Sequence, residues 1–320
     1  MVPILWDRWI NLQPFRSILI YGMGMMGASL AASLRRISQP PKITGVVRSE
    51  KSRVWIQKEN LADEVLALPS YDPAILDLRQ FDLVVLGMPI QANGHLMESI
   101  HSAYPGVGTG AHSGFPLITD MSSTRRHLEE VASRCSGLPF IGSHPMCGSA
   151  DAGPSAYRDD LFAERLVILI ESSFRNNMSR QSFEALGQFW TSVGAKTSQM
   201  NENDHDLVLA YLSHAPHLVS SLLATVTASR QEVRRINEQS PMPITGGGLR
   251  DMLRIAGSNP EMWRDILTTN RAYILESLKD LRSGLDDLIR TVDSDSMDWW
   301  PDWQNQSRKY RNEICGYSDD

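Results

Sequence analysis

Along the first half of the chain, short continuous apolar runs alternate with stretches of helical periodicity. Residues 17–21, 43–47, 83–87, 116–120, 139–143 and 166–170 read as strands, several of them unbroken Val/Ile/Leu runs of the kind buried on both faces. Between them, residues 25–37, 49–60, 95–104 and 124–135 carry helical spacing. Strand and helix in succession predict an α/β fold with a doubly wound parallel sheet. The texture changes after about Glu171, where SSFRNNMSRQS is largely polar. From Ser179 onward helical periodicity dominates: Phe183, Leu186, Phe189 and Trp190, then residues 207–226, then 262–292. An all-helical C-terminal domain is the expectation. The tail from Ser294 carries Trp299, Trp300 and Trp303 among Asp and Ser. It reads either as an arm packed on its own or a partner subunit, or as a loose terminus with an aromatic staple.

Composition adds mainly exclusions. The 320 residues are 42% hydrophobic and 21% charged, which is ordinary for a globular chain. A net charge of −6 gives no support to a nucleic-acid or anionic-membrane partner. No run approaches the roughly 18 apolar residues expected of a membrane helix. The N-terminus is broken by Asp7, Arg8, Pro14 and Arg16 and lacks the apolar core of a signal peptide. Cys135, Cys147 and Cys315 form neither a disulfide framework nor a zinc pattern, so a reducing cytoplasm is the expected location.

The first strand runs into Gly22-Met23-Gly24-Met25-Met26-Gly27, and a helix begins there. This is G-x-G-x-x-G between a strand and a helix. The first glycine permits the tight turn, the second lets a pyrophosphate approach the backbone, and the third lets helix and strand pack closely. The helix N-terminus offers free N–H groups to the anion. A Rossmann-type dinucleotide-binding domain over residues 1–172 follows, with a helical substrate and dimerisation domain over 173–320. The second strand ends in Arg48-Ser49, where an NAD-preferring site would place an acid. Arg48 can pair with a 2′-phosphate and Ser49 can donate to it, so NADP is favoured and NAD is the alternative. Met88 and Pro89, after the next strand, either wall the nicotinamide side or simply end the strand.

Ligands in this architecture bind outside the carboxyl ends of the strands. Two strand ends there carry chemistry: Asp120-Met121-Ser122-Ser123-Thr124-Arg125, and Ser143-His144-Pro145 within GSHPMCGS, which ends at Ser149. Histidine is the side chain best matched to proton transfer near neutral pH, although a strand-end histidine is also a common structural hydrogen-bonder. The helical half adds His205-Asp206, Ser213, His214 and His217, then Arg250 and Arg254, four apart on one helix face. Either arginine can clamp a carboxylate. His214 and His217 flank a proline without an acidic ligand at helical spacing, so no metal is expected.

Taken in order, GMGMMGASLA, DLVVLGMPI, LITDMSSTR, FIGSHPMCGS, HDLVLAYLSHAPHLVS and GGGLRDMLRIAGSNPEMW resemble the prephenate/arogenate dehydrogenase family of tyrosine biosynthesis. The resemblance covers about residues 17–292. It implies oxidative decarboxylation of prephenate, with hydride transfer to NAD(P)+, or the same reaction on arogenate or an amino-substituted prephenate. It implies that His144 accepts the hydrogen bond of the ring hydroxyl. Ser123 would link that hydroxyl to the nicotinamide, with Ser122 beside it on the cofactor. Arg254, rather than Arg250, would hold a substrate carboxylate. Ser213, His214 and His217 would line the substrate pocket, and Ser149 would face the side chain. It also implies a homodimer built by the helical domain. The chain departs from the family in carrying Arg125 where many members have Lys, and Ala150-Asp151 where some place an acid directly after Ser149. No regulatory or mutase domain fits outside the matched region, so a monofunctional enzyme is expected. Two other classes are alternatives. A β-hydroxyacid dehydrogenase would need a lysine within 205–221, which has none. The non-enzyme alternative is an NADP-sensing regulatory protein.

Overall fold

The computed structural model describes residues 14–107, 114–148, 151–171, 179–294 and 296–317. Its contacts divide the chain into two compact units, Met1–Ile274 and Leu275–Asp320.

In the first unit, β1 (Ser17–Tyr21), β2 (Lys42–Val47), β3 (Glu64–Ala67), β4 (Leu83–Leu86), β5 (Leu117–Asp120) and β6 (Phe140–Ile141) form one sheet. Its order is β3-β2-β1-β4-β5-β6 and every pairing is parallel. The order reverses between β1 and β4, which is where such sheets open a crevice for a ligand. Alternate residues of β1 serve opposite faces. Ile18 and Ile20 pack with α1 (Met25–Arg35) and with Phe183, Phe189 and Trp190 of α5 (Arg180–Ser192). Leu19 and Tyr21 pack with α3 (Ile90–Ala103) and α4 (Arg126–Arg134). α2 (Glu50–Lys58) follows β2, and the Ser49 hydroxyl caps it by accepting from Ser52 N at 3.2 Å.

The α/β fold expected from the sequence is present, with three additions. β3 is a short, half-exposed edge strand, EVLA, that is not among the strands expected from the sequence. The single strand expected over 139–143 is two. Gly142 breaks it, and β7 (Ser143–Pro145) leaves the main sheet to pair antiparallel with β8 (Leu166–Ile170). A Cβ at Gly142 would stand 2.8 Å from Glu129 Oε1 and 3.0 Å from Arg125 Nη1, so only glycine lets the chain turn over that guanidinium. The third addition is β9 (Lys196–Met200), parallel to β8. Strand pairing therefore carries the α/β part on to Met200, past the 172 expected from periodicity, because KTSQM is a polar, exposed edge.

Helices then take over. α6 (Glu202–Leu209) passes through a π turn, Ala210–His214, into α7 (Ala215–Ser229). Pro216 has no N–H to continue the regular ladder, and the wider turn accommodates that loss. Contrary to the sequence expectation, the run 202–229 is long and apolar enough to cross a membrane, with a mean hydropathy of 1.4 over its best window. Its Asp206 and His214 are nonetheless buried and hydrogen-bonded within this unit. α8 (Gln231–Gln239), α9 (Gly247–Leu253) and α10 (Pro260–Thr269) follow, and α11 (Arg271–Val292) begins in this unit.

In the second unit, α11 exposes Leu281, Leu285 and Ile289 at helical spacing. The tail is ordered as α12 (Trp300–Cys315), with Trp300 stacked on Trp303 at 5.5 Å between centroids and Trp299 edge-on to both.

The glycine turn after β1 is built by close approach. Gly22 has φ +85°, and a Cβ on Gly27 would meet Gly22 O at 2.3 Å. Gly27→Ala should therefore destabilise the fold by about 1–3 kcal/mol through forced backbone movement. Gly24 has nothing within 4 Å, so Gly24→Ala should leave stability unchanged. Denaturant titration of the two variants checks the contrast.

Candidate active site

The carboxyl ends of β1, β2, β4, β5 and β6 bring the sequence-predicted residues to one edge of the sheet. At β1, Gly24 caps α1 without a side-chain partner, and the first turn of α1 holds no acid. Its first N–H groups and the open space over Gly24 fit an anionic pyrophosphate, so the residues present suit a dinucleotide. At β2, Arg48 is exposed, and its guanidinium hydrogen-bonds the half-buried hydroxyl of Tyr71. Tyr71, Asp72, Met88, Ala92 and His95 line a cleft beside it. At β4, buried Met88 packs against Gly22, where a Cβ would meet its Cγ at 2.6 Å.

Asn93, which sequence reasoning missed, ties this loop to the next. Its Oδ1 accepts from Met88 N at 3.3 Å, and its Nδ2 donates to Met88 O and to Ser122 Oγ, both at 3.0 Å. Pro89 caps α3, and Asp265 from α10 accepts the Ile90 N–H at the same helix end. Burial raises that carboxyl above its ordinary range.

After β5 the chain is held by a wholly buried ion pair. Arg125 Nη1 and Nη2 reach Asp120 Oδ1 and Oδ2 at 2.7 and 2.6 Å, with neither side chain exposed. The remaining guanidinium hydrogens go to Thr124 O (2.8 Å), Ser122 O (2.9 Å) and Ser143 O (3.0 Å). All five donors of the arginine are used. Asp120 in turn accepts from Ser122 N and Ser143 N at 2.9 and 3.2 Å. One pair thus fixes both the Ser122-Ser123 loop and the strand that carries His144. Ser123 itself is partly exposed at the edge of this loop.

His144 sits on β7, nearly buried, with Nδ1 2.9 Å from His205 Nε2. His205 Nδ1 lies 2.9 Å from Asp206 Oδ1. Burial, followed by the charges of His205, Arg125 and His214, holds the His144 imidazole well below its usual range. It is neutral at physiological pH and able to accept a proton.

The helical residues converge on the same region. Asn270 Nδ2 donates to Asp206 O at 2.7 Å and reaches His214 Nδ1 at 3.1 Å. His214 therefore bears its hydrogen on Nε2. Trp263 lies edge-on to His214 and 4.8 Å, centroid to centroid, from His217. His217 Nδ1 contacts Ser258 Oγ at 3.0 Å. Burial lowers His217, and the nearby Arg254 charge adds to this against a hydrogen bond to Ile255. Arg254 is exposed at the end of α9, whereas Arg250 turns back toward Thr245 Oγ1 at 3.4 Å. Ser213 is half-buried in the π turn. Ser149 lies outside the described residues. Among the described residues no group of three His, Cys, Asp or Glu is placed to hold a metal ion.

Two family models match the chain. One, described as prephenate dehydrogenase, nucleotide-binding domain, covers residues 30–199, and the other, prephenate dehydrogenase, dimerization domain, covers 201–305. The chain belongs to the prephenate dehydrogenase family. The family's two domain models meet between Gln199 of β9 and Asn201, the cap of α6. The prephenate dehydrogenase of Bacillus subtilis (strain 168) is 28% identical over 282 residues, 87% of this chain and 68% of the relative. The cyclohexadienyl dehydrogenase of Zymomonas mobilis is 26% identical over 301 residues, 93% of this chain and 95% of that one. Among solved family structures, prephenate dehydrogenase from A. aeolicus in complex with hydroxyphenyl propionate and NAD+ matches with a TM-score of 0.80 at 25% identity. That match covers 95% of this chain and 99% of that one. Synechocystis arogenate dehydrogenase matches with a TM-score of 0.73 at 26% identity, covering 94% and 99%.

Buried neutral histidines make the fold sensitive to acid. Burial is the main reason that His214 drops from 6.5 to about 4. Between these values the unfolded chain takes up a proton that the folded one refuses. Stability is therefore full above about pH 6.5 and falls toward pH 4, by on the order of 3 kcal/mol from His214 alone. His144 acts in the same direction. Urea midpoints measured from about pH 7 to pH 4.5 should fall, and should fall less steeply in His214→Gln.

Proposed function

We propose that this chain catalyses the oxidative decarboxylation of prephenate to 4-hydroxyphenylpyruvate in tyrosine biosynthesis, with NADP as the favoured hydride acceptor. The observation that carries the reading is the neutral, buried His144, held beside the Ser122-Ser123 loop by the Arg125–Asp120 pair at the sheet edge where the glycine turn opens. Curated relatives with prephenate and cyclohexadienyl dehydrogenase names over most of the chain support the same reaction.

The chain's residues divide the work as follows. The amides of the 22–27 turn and the start of α1 bind the pyrophosphate, and Met88 and Pro89 wall the nicotinamide side. Arg48 and Ser49 meet the 2′-phosphate of NADP, where an acid would repel it. The bound nicotinamide supplies the hydride acceptor. Ser123 orients the ring hydroxyl, and Ser122, hydrogen-bonded to Asn93, supports the cofactor side of the same loop. His144 accepts the hydroxyl proton as the carbinol carbon loses hydride. The ring carboxylate then leaves as CO2, its bonding pair closes the aromatic ring, and the oxygen regains its proton to give the phenol. The gain of aromaticity drives the step, so orientation and charge placement are what the protein must provide.

Arg254 clamps a substrate carboxylate, with Ser213, His214 and His217 around the ring. Ser149 is assigned to the side chain, where a keto acid and an amino acid differ, from the family resemblance alone. The chain works as a homodimer through its helical part. The matched dimerization model and the exposed Leu222, Val226, Val233 and Ile236 at helical spacing support this. Its unpaired Cys135, Cys147 and Cys315 suit a cytoplasmic enzyme.

Purified protein mixed with prephenate or arogenate and either cofactor, followed at the reduced-nicotinamide band, should turn over prephenate with NADP fastest. Inactivity with both substrates refutes the reading, and faster turnover of arogenate moves the substrate assignment. His144→Asn should lower kcat by about 10²- to 10⁴-fold with KM largely kept, the range expected for loss of a general base. Near-normal turnover contradicts the role. Arg48→Asp should reverse the cofactor preference; an unchanged preference contradicts the NADP assignment.

A further inference from the structure

An imidazole accepts a proton only at the nitrogen that carries no hydrogen. Which nitrogen of His144 that is follows from counting hydrogens along three side chains. Asp206 lies at the N-terminus of α4, where its Oδ1 accepts from Arg125 N at 2.8 Å and its Oδ2 from Arg126 N at 3.0 Å. With a backbone N–H donor already on each of its oxygens, the Asp206 carboxylate serves as an acceptor. His205 Nδ1, 2.9 Å from the same Oδ1, must therefore carry a hydrogen. Burial keeps His205 neutral against the pull of Asp206. Its Nε2 then holds a lone pair. His144 Nδ1, 2.9 Å from that lone pair, must be the donor.

We infer that His205 and Asp206 are positioning residues that hold His144 in its Nδ1–H form, so that Nε2 meets the substrate hydroxyl as an acceptor. Only the last clause rests on the proposed dehydrogenase reaction; the tautomer itself does not. The opposite arrangement would require Asp206 to bear a proton while it faces two N–H donors. Neither His205 nor Asp206 is exposed, so water cannot step in to satisfy a mismatched pair. Asn270 closes the set by holding the Asp206 carbonyl, which fixes the helix turn that carries both residues.

Histidine labelled with 15N, observed in the resting full-length protein, tests the tautomer without any substrate. His144, assigned by its loss in His144→Asn, should show a protonated Nδ1 and an unprotonated Nε2; an Nε2-protonated His144 overturns the inference. Kinetics then test its use. His205→Leu should lower kcat by about 10- to 100-fold, the range for loss of a partner that orients a histidine, with KM changed little. His205→Gln, whose amide oxygen can still accept from His144 Nδ1, should recover most of that loss. Equal losses in the two variants overturn the positioning role, as does a His205→Leu enzyme with native kcat. Absence of turnover in the native protein would defeat the proposed reaction while leaving the labelled-histidine result to judge the relay.

Discussion

A guanidinium with no access to solvent holds this site together. Arg125 follows β5, pairs with Asp120 at the end of that strand, and spends its remaining hydrogens on carbonyls from the Ser122 loop and from β7. Burying a charge is costly unless every one of its hydrogen-bonding groups is met, and here they are. The pair therefore tolerates no partial rearrangement of its neighbours. Gly142 is part of the same constraint, since any side chain there would collide with the guanidinium and with Glu129. The strand that leaves the sheet at that point delivers His144.

The helical residues complete what the sheet begins. Asp206 docks on the first amides of α4, and Thr124 bonds Thr269 through their hydroxyls at 2.7 Å. These contacts bring His205, His214 and Trp263 to the open edge of the sheet. The result is a pocket of histidines kept neutral by burial rather than by high pH. Folding bears a cost for this, because each such group would rather be protonated in acid. In the proposed reaction the return is a base that accepts a proton without first having to lose one. Proton chemistry at this site and acid sensitivity of the fold have the same physical origin.

Much of this was legible in the sequence where the signal is local. The glycine turn, the apolar strands and the His214 and His217 pair announce themselves within a few residues, and the family resemblance rests on them. What escaped depends on distance along the chain. His144 meets a partner 61 residues away, and Arg125 N meets one 81 residues away. His205-Asp206 stands out in the sequence as a chemistry-bearing pair, but its partners show only when Asp206 is seen to face the amides of α4. Asn93 sits in a helix with nothing to mark it as the tie between two loops. β9 was illegible for a different reason: an edge strand of polar residues has no hydrophobic alternation to read.

In the proposed reaction one imidazole nitrogen receives the substrate hydroxyl while a guanidinium holds the acid at the far end. A crystal structure of the protein with oxidised NADP and 4-hydroxyphenylpyruvate tests it directly. The phenolic oxygen should lie about 2.6–3.2 Å from His144 Nε2, with Arg254 on the carboxylate. A phenol bound elsewhere, or bound with its carboxylate against His144, would contradict it.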